Sequence, residues 1–308
     1  MAVPGLMPGP PLSAEPCEGQ RMSINYLLIN AILFGALYAS IAYGLSIIYG
    51  VMKVVNLAHG GTLMLSAYVA YTLFTYLHID PILSLIIALP LFFVLGMLIQ
   101  RFLVDKIMDA PQIASLLLLF GVWLLMKNVA YLIWSGDEVG YNLSYALKTV
   151  KILVPVSIPR IIIFVISIVT TVLLLLFLKR TYLGKAMRAL SQNHDACSLV
   201  GIPVRRVAQI TFGLGTALAA LGGILASMIY SFSPEFGGNF LLKSFCIIVL
   251  GGMESTLGVI VGALVLSLIE SFSILVIPID LQEMISFVLL VLILVVKPTG
   301  IFGRRATI

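Results

Sequence analysis

From about residue 22 onward the chain is a succession of long apolar runs separated by short polar breaks. A helix that crosses a bilayer needs roughly 20 predominantly apolar residues. Runs of that kind fall at 24–50, 62–78, 82–103, 112–134, 160–178, 208–230, 257–276 and 283–297. A shorter apolar piece, Leu241 to Gly252, lies between the sixth and seventh runs. It reads either as a ninth crossing or as a re-entrant segment, because interrupted pieces are tolerated at membrane depth when buried in protein or lining a cavity. The pattern predicts an all-α polytopic membrane protein with about eight or nine transmembrane helices.

Composition agrees with the pattern. The chain is 61% hydrophobic and only 10% charged, so it lacks the residues from which a soluble domain builds its surface. The formal charge of +5 does not point to nucleic acid, because half of the basic residues are gathered in two places. Six of the eighteen Lys and Arg (Lys179, Arg180, Lys185, Arg188, Arg205, Arg206) sit in a polar island from Lys179 to Arg206, with Asp195 the one acid among them. Three more, Lys297, Arg304 and Arg305, lie in the C-terminal tail. Such clustering marks the cytoplasmic side of a membrane protein.

With the island in the cytoplasm, the fifth run enters and the sixth leaves. If Leu241–Gly252 crosses, the basic tail also ends inside and the N-terminus begins outside. Residues 1–21 are rich in Pro and Gly and lack the apolar core of a signal peptide. They read as a disordered tail, or as the product of a start site upstream of a true beginning at Met22. The rest, 22–304, reads as a single transmembrane domain with a short tail at 305–308.

A faint internal echo suggests two halves. Phe34 to Gly50 is followed by the break VNLAHGG, ending at Gly60 and Gly61; Phe212 to Tyr230 is followed by SPEFGG, ending at Gly237 and Gly238. The two segments would run in opposite directions, as in the inverted repeats with interrupted helices found in transporters, where the breaks point to the substrate path. Small residues also recur every fourth position at Ala36, Ser40 and Gly44, at Gly215, Ala219 and Gly223, and at Gly258 and Gly262. That spacing lets membrane helices pack closely.

Within the island, Tyr182 to Gln192 is predicted to be an amphipathic helix, with Leu183, Ala186, Met187 and Leu190 on one face and Lys185, Arg188 and Gln192 on the other. A second short helix is expected from an N-cap at Asp195 to a stop at Gly201. By itself this describes either a compact platform tied to two spans or an interfacial helix resting on the anionic leaflet.

The residues also carry a family likeness. GKAMRAL followed by LVGIPVRRVAQITFGLGTALAALGGIL resembles the cytoplasmic loop and next helix of the permeases of ATP-binding-cassette importers for branched-chain amino acids, of the LivH type. Gly44 to Tyr71, with its Asn-x-Ala-His-Gly break, Leu250 to Glu270, and KPTGIFG at Lys297 to Gly303 are similar to that family in the same order, so the likeness spans about Ile24 to Arg304. It implies that the island is the coupling loop that docks on a separate cytoplasmic ATPase. Carried over by position, the loop residues are Gly184, Lys185, Arg188, Ala189, Asp195, Gly201 and Ile202. It further implies a second homologous permease subunit, two ATPase subunits that hold the ATP, and an extracytoplasmic solute-binding protein, in the cytoplasmic membrane. This chain has no GxxxxGK[ST] motif, so it binds no ATP through a P-loop.

Candidate groups on the translocation path are Asn56, His59, Gly60, Gly237, Gly238 and Glu270. His59 reads equally as a helix-end residue capping carbonyls. Glu270 and Lys127 each lie inside an apolar run, where an unpaired charge costs about 3 kcal/mol on insertion scales. A salt link between them is the expected relief, and a water-filled path the alternative. Lys243 and Glu254 are expected to mark the ends of the short piece. Cys17, Cys197 and Cys246 show no ligand spacing, so no metal site is predicted. Nor does any nucleophile–base pair stand out, and no catalytic residue or cofactor is assigned to this chain. The functional expectation is a branched-chain amino-acid importer permease. A related permease for urea, short amides or another small polar solute, and an ion-coupled carrier working alone, are the alternatives.

Overall fold

The computed structural model describes residues 24–303 apart from 109, 144, 147, 152–153, 254, 279–280 and 298. The expected tails at 1–21 and 305–308, together with Cys17, Glu254, Arg304 and Arg305, lie outside the described residues. The chain is almost entirely helical: α1 (Ile24–Met52), α2 (Ala58–Leu77), α3 (Pro81–Phe102), α4 (Gln112–Trp134), α5 (Ile158–Arg180), α6 (Tyr182–Gln192), α7 (His194–Leu199), α8 (Val204–Ser227), α9 (Phe236–Gly251), α10 (Thr256–Ser273) and α11 (Gln282–Val296). A two-stranded hairpin, β1 (Thr149–Lys151) with β2 (Pro155–Ser157), sits in the connection before α5.

Among the described residues, six helices are long and apolar enough to cross a bilayer on those grounds alone: α1, α3, α4, α5, α8 and α10. The others fall short for legible reasons. Helix α2 opens on the small polar sequence AHGGT, α9 has 16 residues and carries Asn239 and Lys243, and α11 has 15 residues. Polar links nevertheless order the helix ends. Arg160 at the start of α5 meets Asn30 at the start of α1, Trp134 at the end of α4 meets Thr72 near the end of α2, and Asp105 after α3 meets Gln209 at the start of α8. Among the described residues, α1–α5 and α8–α11 thus alternate in direction. Lys53, Arg101, Lys106, the island and Lys297 fall on one side, the cytoplasmic one by the charge rule.

The core is built from the helices with the smallest side chains. In the most apolar window of α1 and of α8, 78% of residues are buried, against 17% in the Leu-rich α4 and α5, which face outward. Where α1 and α8 cross, a methyl group added at Gly44 would lie 2.5 Å from the Gly215 carbonyl oxygen, and one at Gly215 would lie 2.6 Å from that of Gly44. Gly60 and Gly237 stand in the same reciprocal relation between α2 and α9. The rest of the packing repeats the exchange. Helix α3 packs on α8 as α10 packs on α1, and α4 packs on α2 as α11 packs on α9. Exchanging α1–α4 with α8–α11 therefore maps the bundle onto itself. The echo between the two Gly-paired breaks is the trace of this inverted two-fold arrangement, and α5–α7 form the connection between the halves.

Two other sequence features resolve into contacts. Near the C-terminus, Ile301 and Phe302 lie against the end of α9, their amides donating to the carbonyls of Leu250 and Gly251. Gly252 and Gly300 there adopt φ of +96° and +75°, a region that costs a residue with a Cβ. On the opposite side, Asp80 caps α3 by accepting from the Ile82 amide (2.9 Å) and also accepts from the Tyr145 hydroxyl (2.9 Å), tying the long outer connection to the bundle.

The glycine contacts give a direct test. Gly237→Ala places a methyl group onto the Gly60 carbonyl, and is expected to lower stability by about 3 kcal/mol or more, the upper end of overpacking costs. Gly50→Ala, where nothing lies within 4 Å, is expected to change it by less than about 1 kcal/mol. Thermal unfolding of both variants in detergent measures the difference.

Candidate functional site

The island folds as a rigid corner. Thr181 ends α5 and caps α6, its hydroxyl accepting from the Gly184 amide at 3.0 Å. The turn is tight enough that a Cβ at Gly184 would collide with the backbone of Phe177 and Leu178. Glycine at that loop position is therefore required by the α5–α6 corner itself. As expected, α6 buries Ala186, Met187 and Leu190 against α5, α1 and α8 and exposes Lys185, Arg188 and Gln192. Ala189 is half-buried on the flank of that face.

The second helix is capped two residues earlier than its sequence suggests. Its cap is Asn193, in extended conformation, whose side chain accepts from the Ala196 amide at 3.0 Å; Asp195 sits in the first turn. The expected cap at Asp195 is thus corrected. Asn193 holds the extended dihedrals that a cap needs, and Asp195 instead places its negative charge at the positive end of the helix. Helix α7 ends through Gly201 at φ +81°, and Ile202 packs back on the core. This leaves Leu199 and Val200 projecting into solvent at 87% and 76% exposure. The result is an apolar tip flanked by cations, held at both ends by membrane helices.

Inside the bundle, the first Gly-paired break forms a closed junction. Asn56 and His59 are buried, and the Asn56 Oδ1 makes no hydrogen bond to a described residue. The His59 ring is wedged against Gly44, beside the Ile41 backbone and next to the Gly60–Gly237 contact. Gly238 faces the Trp123 ring.

The charged residues pair differently from expectation. Glu270 does not meet Lys127. It accepts from Tyr38 (2.7 Å), from Ser286 (2.8 Å) and from Lys243, which lies 3.1 Å away and also donates to the Tyr38 hydroxyl at 3.0 Å. Lys243 is in mid-α9, so it does not mark that helix's end. Because α9 lies directly against α10, it supplies a partner much nearer to Glu270 than α4 does. Lys127 instead pairs with Glu235, just before α9, where the ammonium holds the exposed carboxyl below its usual range.

The Lys243–Glu270 pair forms part of the floor of a cleft of about 490 Å3 between α1, α5, α9 and α10. The cleft is bounded by Tyr26, Ser231, Ile274 and Gln282, near the outer ends of the helices. Phe34, Tyr38, Tyr230 and Phe240 wall it with rings whose centroids lie 6.2–6.3 Å apart in sequence around the wall. Arg160 enters from α5, donating to Asn30 Oδ1 at 2.9 Å and lying over the Phe34 ring. Sequence reading missed Arg160 because it stands at the very start of the apolar run 160–178, where a charge reads as the edge of a span. It missed the cleft because its walls come from four separated helices. Of the predicted path residues, only Glu270 lines it.

An inverted bundle of membrane-crossing helices, with a polar cleft on one side and a positively charged helical platform on the other, defines a membrane transport protein. The comparison with protein families is specific: residues 27–294 match the family described as branched-chain amino acid transport system / permease component, and the chain belongs to it. It is 27% identical to the high-affinity branched-chain amino acid transport system permease LivH of Escherichia coli K12, over 90% of this chain and 94% of that one. It is 29% identical to the permease BraD of Pseudomonas aeruginosa, over 90% and 95% of the two chains. It is also 26% identical to a probable branched-chain amino acid transport permease of Methanocaldococcus jannaschii, over 92% and 93%. No solved structure matches.

The partly buried pair makes a testable statement. Removing one partner of a fully buried ion pair costs about 3–5 kcal/mol, whereas replacing both by apolar groups is often neutral. For this partly buried pair Lys243→Met is expected to destabilise the protein by about 2 kcal/mol, below that range, and Lys243→Met with Glu270→Leu to recover most of that loss. Unfolding midpoints of the single and double variants check it.

Proposed function

We propose that this chain is the transmembrane subunit of an ATP-driven importer of branched-chain amino acids in the cytoplasmic membrane. It works beside a second, homologous permease, two ATPase subunits that hold the ATP, and an extracytoplasmic protein that delivers the solute. Membership of the permease family and the likeness to LivH and BraD along nine-tenths of the chain support the substrate class.

The coupling role is carried by one observation: the α6–α7 platform presents exposed Lys185, Arg188, Leu199 and Val200 on a base fixed to α5 and α8. The apolar tip enters a groove on the ATPase, and the two cations meet acidic groups at its rim. Gly184 and Thr181 hold the corner, while Gly201 turns the chain back to Ile202 and α8. Asp195 and Ala189 sit on the same platform, Asp195 in the first turn of α7 and Ala189 on the flank of α6. Because both ends of the platform continue into membrane helices, a movement of the docked ATPase is delivered directly to α5 and α8.

The junction of Asn56, His59, Gly60, Gly237 and Gly238 lies where the two halves meet. We assign it to the closed section of the path, with the cleft at Glu270 as its outer mouth. Solute passage then requires the halves to separate at this junction.

Two measurements test this reading. Lys185→Glu with Arg188→Glu reverses the charge of the platform on an exposed face, and is expected to lower co-purification of the ATPase by about tenfold or more while the permease still folds. Retention of the ATPase by that variant contradicts the docking role. In reconstituted uptake with leucine and urea as competing substrates, leucine is expected to be taken up and urea ignored; urea uptake unaffected by leucine contradicts the substrate class.

A further inference from the structure

Among the described residues, the ionisable lining of the outer cleft comprises Arg160, Lys243 and Glu270 beside the tyrosines Tyr26, Tyr38 and Tyr230, two cations to one carboxylate. Glu270 is already committed to Lys243, Tyr38 and Ser286. Arg160 is not committed in that way. Its contacts are the Asn30 amide oxygen, the Tyr26 hydroxyl at 3.5 Å and the Phe34 ring, and among the described residues no carboxylate lies within ion-pair distance of it. A half-buried guanidinium with only neutral partners keeps donors free for a bidentate anion.

We infer that Arg160 receives the carboxylate of an aliphatic acid in this cleft, with the branched hydrocarbon lying along the wall of Phe34, Tyr230 and Phe240. The inference rests on the importer reading for its substrate class and extends it to a particular site within the permease. Three features support it together. The cleft volume of about 490 Å3 lies within the range of small-molecule sites, and the lining combines aromatic walls with a few converging polar groups. The charge of its described lining is positive in excess. The site lies on the outer side, where a solute released by a delivery protein first meets the permease.

The arrangement also specifies what is not recognised. With Glu270 engaged by three donors, the described residues of the cleft offer no free carboxylate to an α-ammonium group. The site therefore reads the carboxylate and the hydrocarbon, and leaves discrimination of the ammonium to the delivery protein. Isovalerate, which has the carboxylate without the ammonium, is expected to bind; isoamylamine, which has the reverse, is not.

Saturation-transfer NMR on the full chain in nanodiscs, with isovalerate and isoamylamine as probes, tests this. Arg160→Gln is expected to weaken isovalerate binding by about tenfold or more, the loss of a charge-assisted contact, and Arg160→Lys to restore part of it. Asn30→Asp keeps every side chain near its original size but puts a carboxylate against the guanidinium, and is expected to weaken binding comparably. This second variant keeps the test decisive should Arg160→Gln fail to fold. Isovalerate binding unchanged by Arg160→Gln or Asn30→Asp overturns the inference, as does the absence of isovalerate binding or equal binding of isoamylamine. If isovalerate binds in an Arg160-dependent way but the assembled transporter takes up no leucine, the importer reading fails while the carboxylate site stands.

Discussion

The close approach of two pairs of glycines holds this molecule together. Lipid chains are as apolar as the helices they surround, so burial of leucine in the bilayer gives no reason for one helix to prefer another. What remains is close packing, and it requires positions without side chains. Gly44 against Gly215 and Gly60 against Gly237 bring α1 to α8 and α2 to α9 at backbone contact. Once these are set, α3 and α10 pack across the pair in mirrored roles, and α4 and α11 follow on the outside.

The same constraint places the functional parts. Because the glycine junction lies at the boundary between the inverted halves, the polar residues Asn56 and His59 are buried there and the outer cleft opens on one flank. The connection between the halves, α5 through α7, is the part that has no counterpart in the repeat. It carries both Arg160, at the outer end of α5, and the platform at the inner end. One helix thus links the cleft to the surface proposed to meet the ATPase.

How much of this was legible in the sequence depended on the range of the interaction. Local signals read well. The bounds of α6 and the burial of Ala186, Met187 and Leu190 follow from the spacing of its apolar residues, with Leu183 only partly buried, and the turn at Gly201 from glycine's tolerance of positive φ. The cap of α7 at Asn193 was misread because Asn and Asp at 193 and 195 are both good caps, and only the backbone conformation decides between them. Pairings between distant segments were beyond reach. Glu270 was matched with Lys127 because both are charges in apolar runs, yet the contact of α9 with α10 gives it Lys243. The likeness between the two Gly-paired breaks did carry long-range information, because an internal repeat writes its symmetry into the order of the chain.

The central claim is that energy enters through the α6–α7 platform from a partner that hydrolyses ATP. The most direct measurement is leucine uptake into proteoliposomes that hold the assembled transporter and delivery protein, comparing ATP with a non-hydrolysable analogue on the platform side. Uptake against a gradient is expected with ATP, and none with the analogue. Uptake that continues with the analogue, or by this chain alone under an ion gradient, would contradict it.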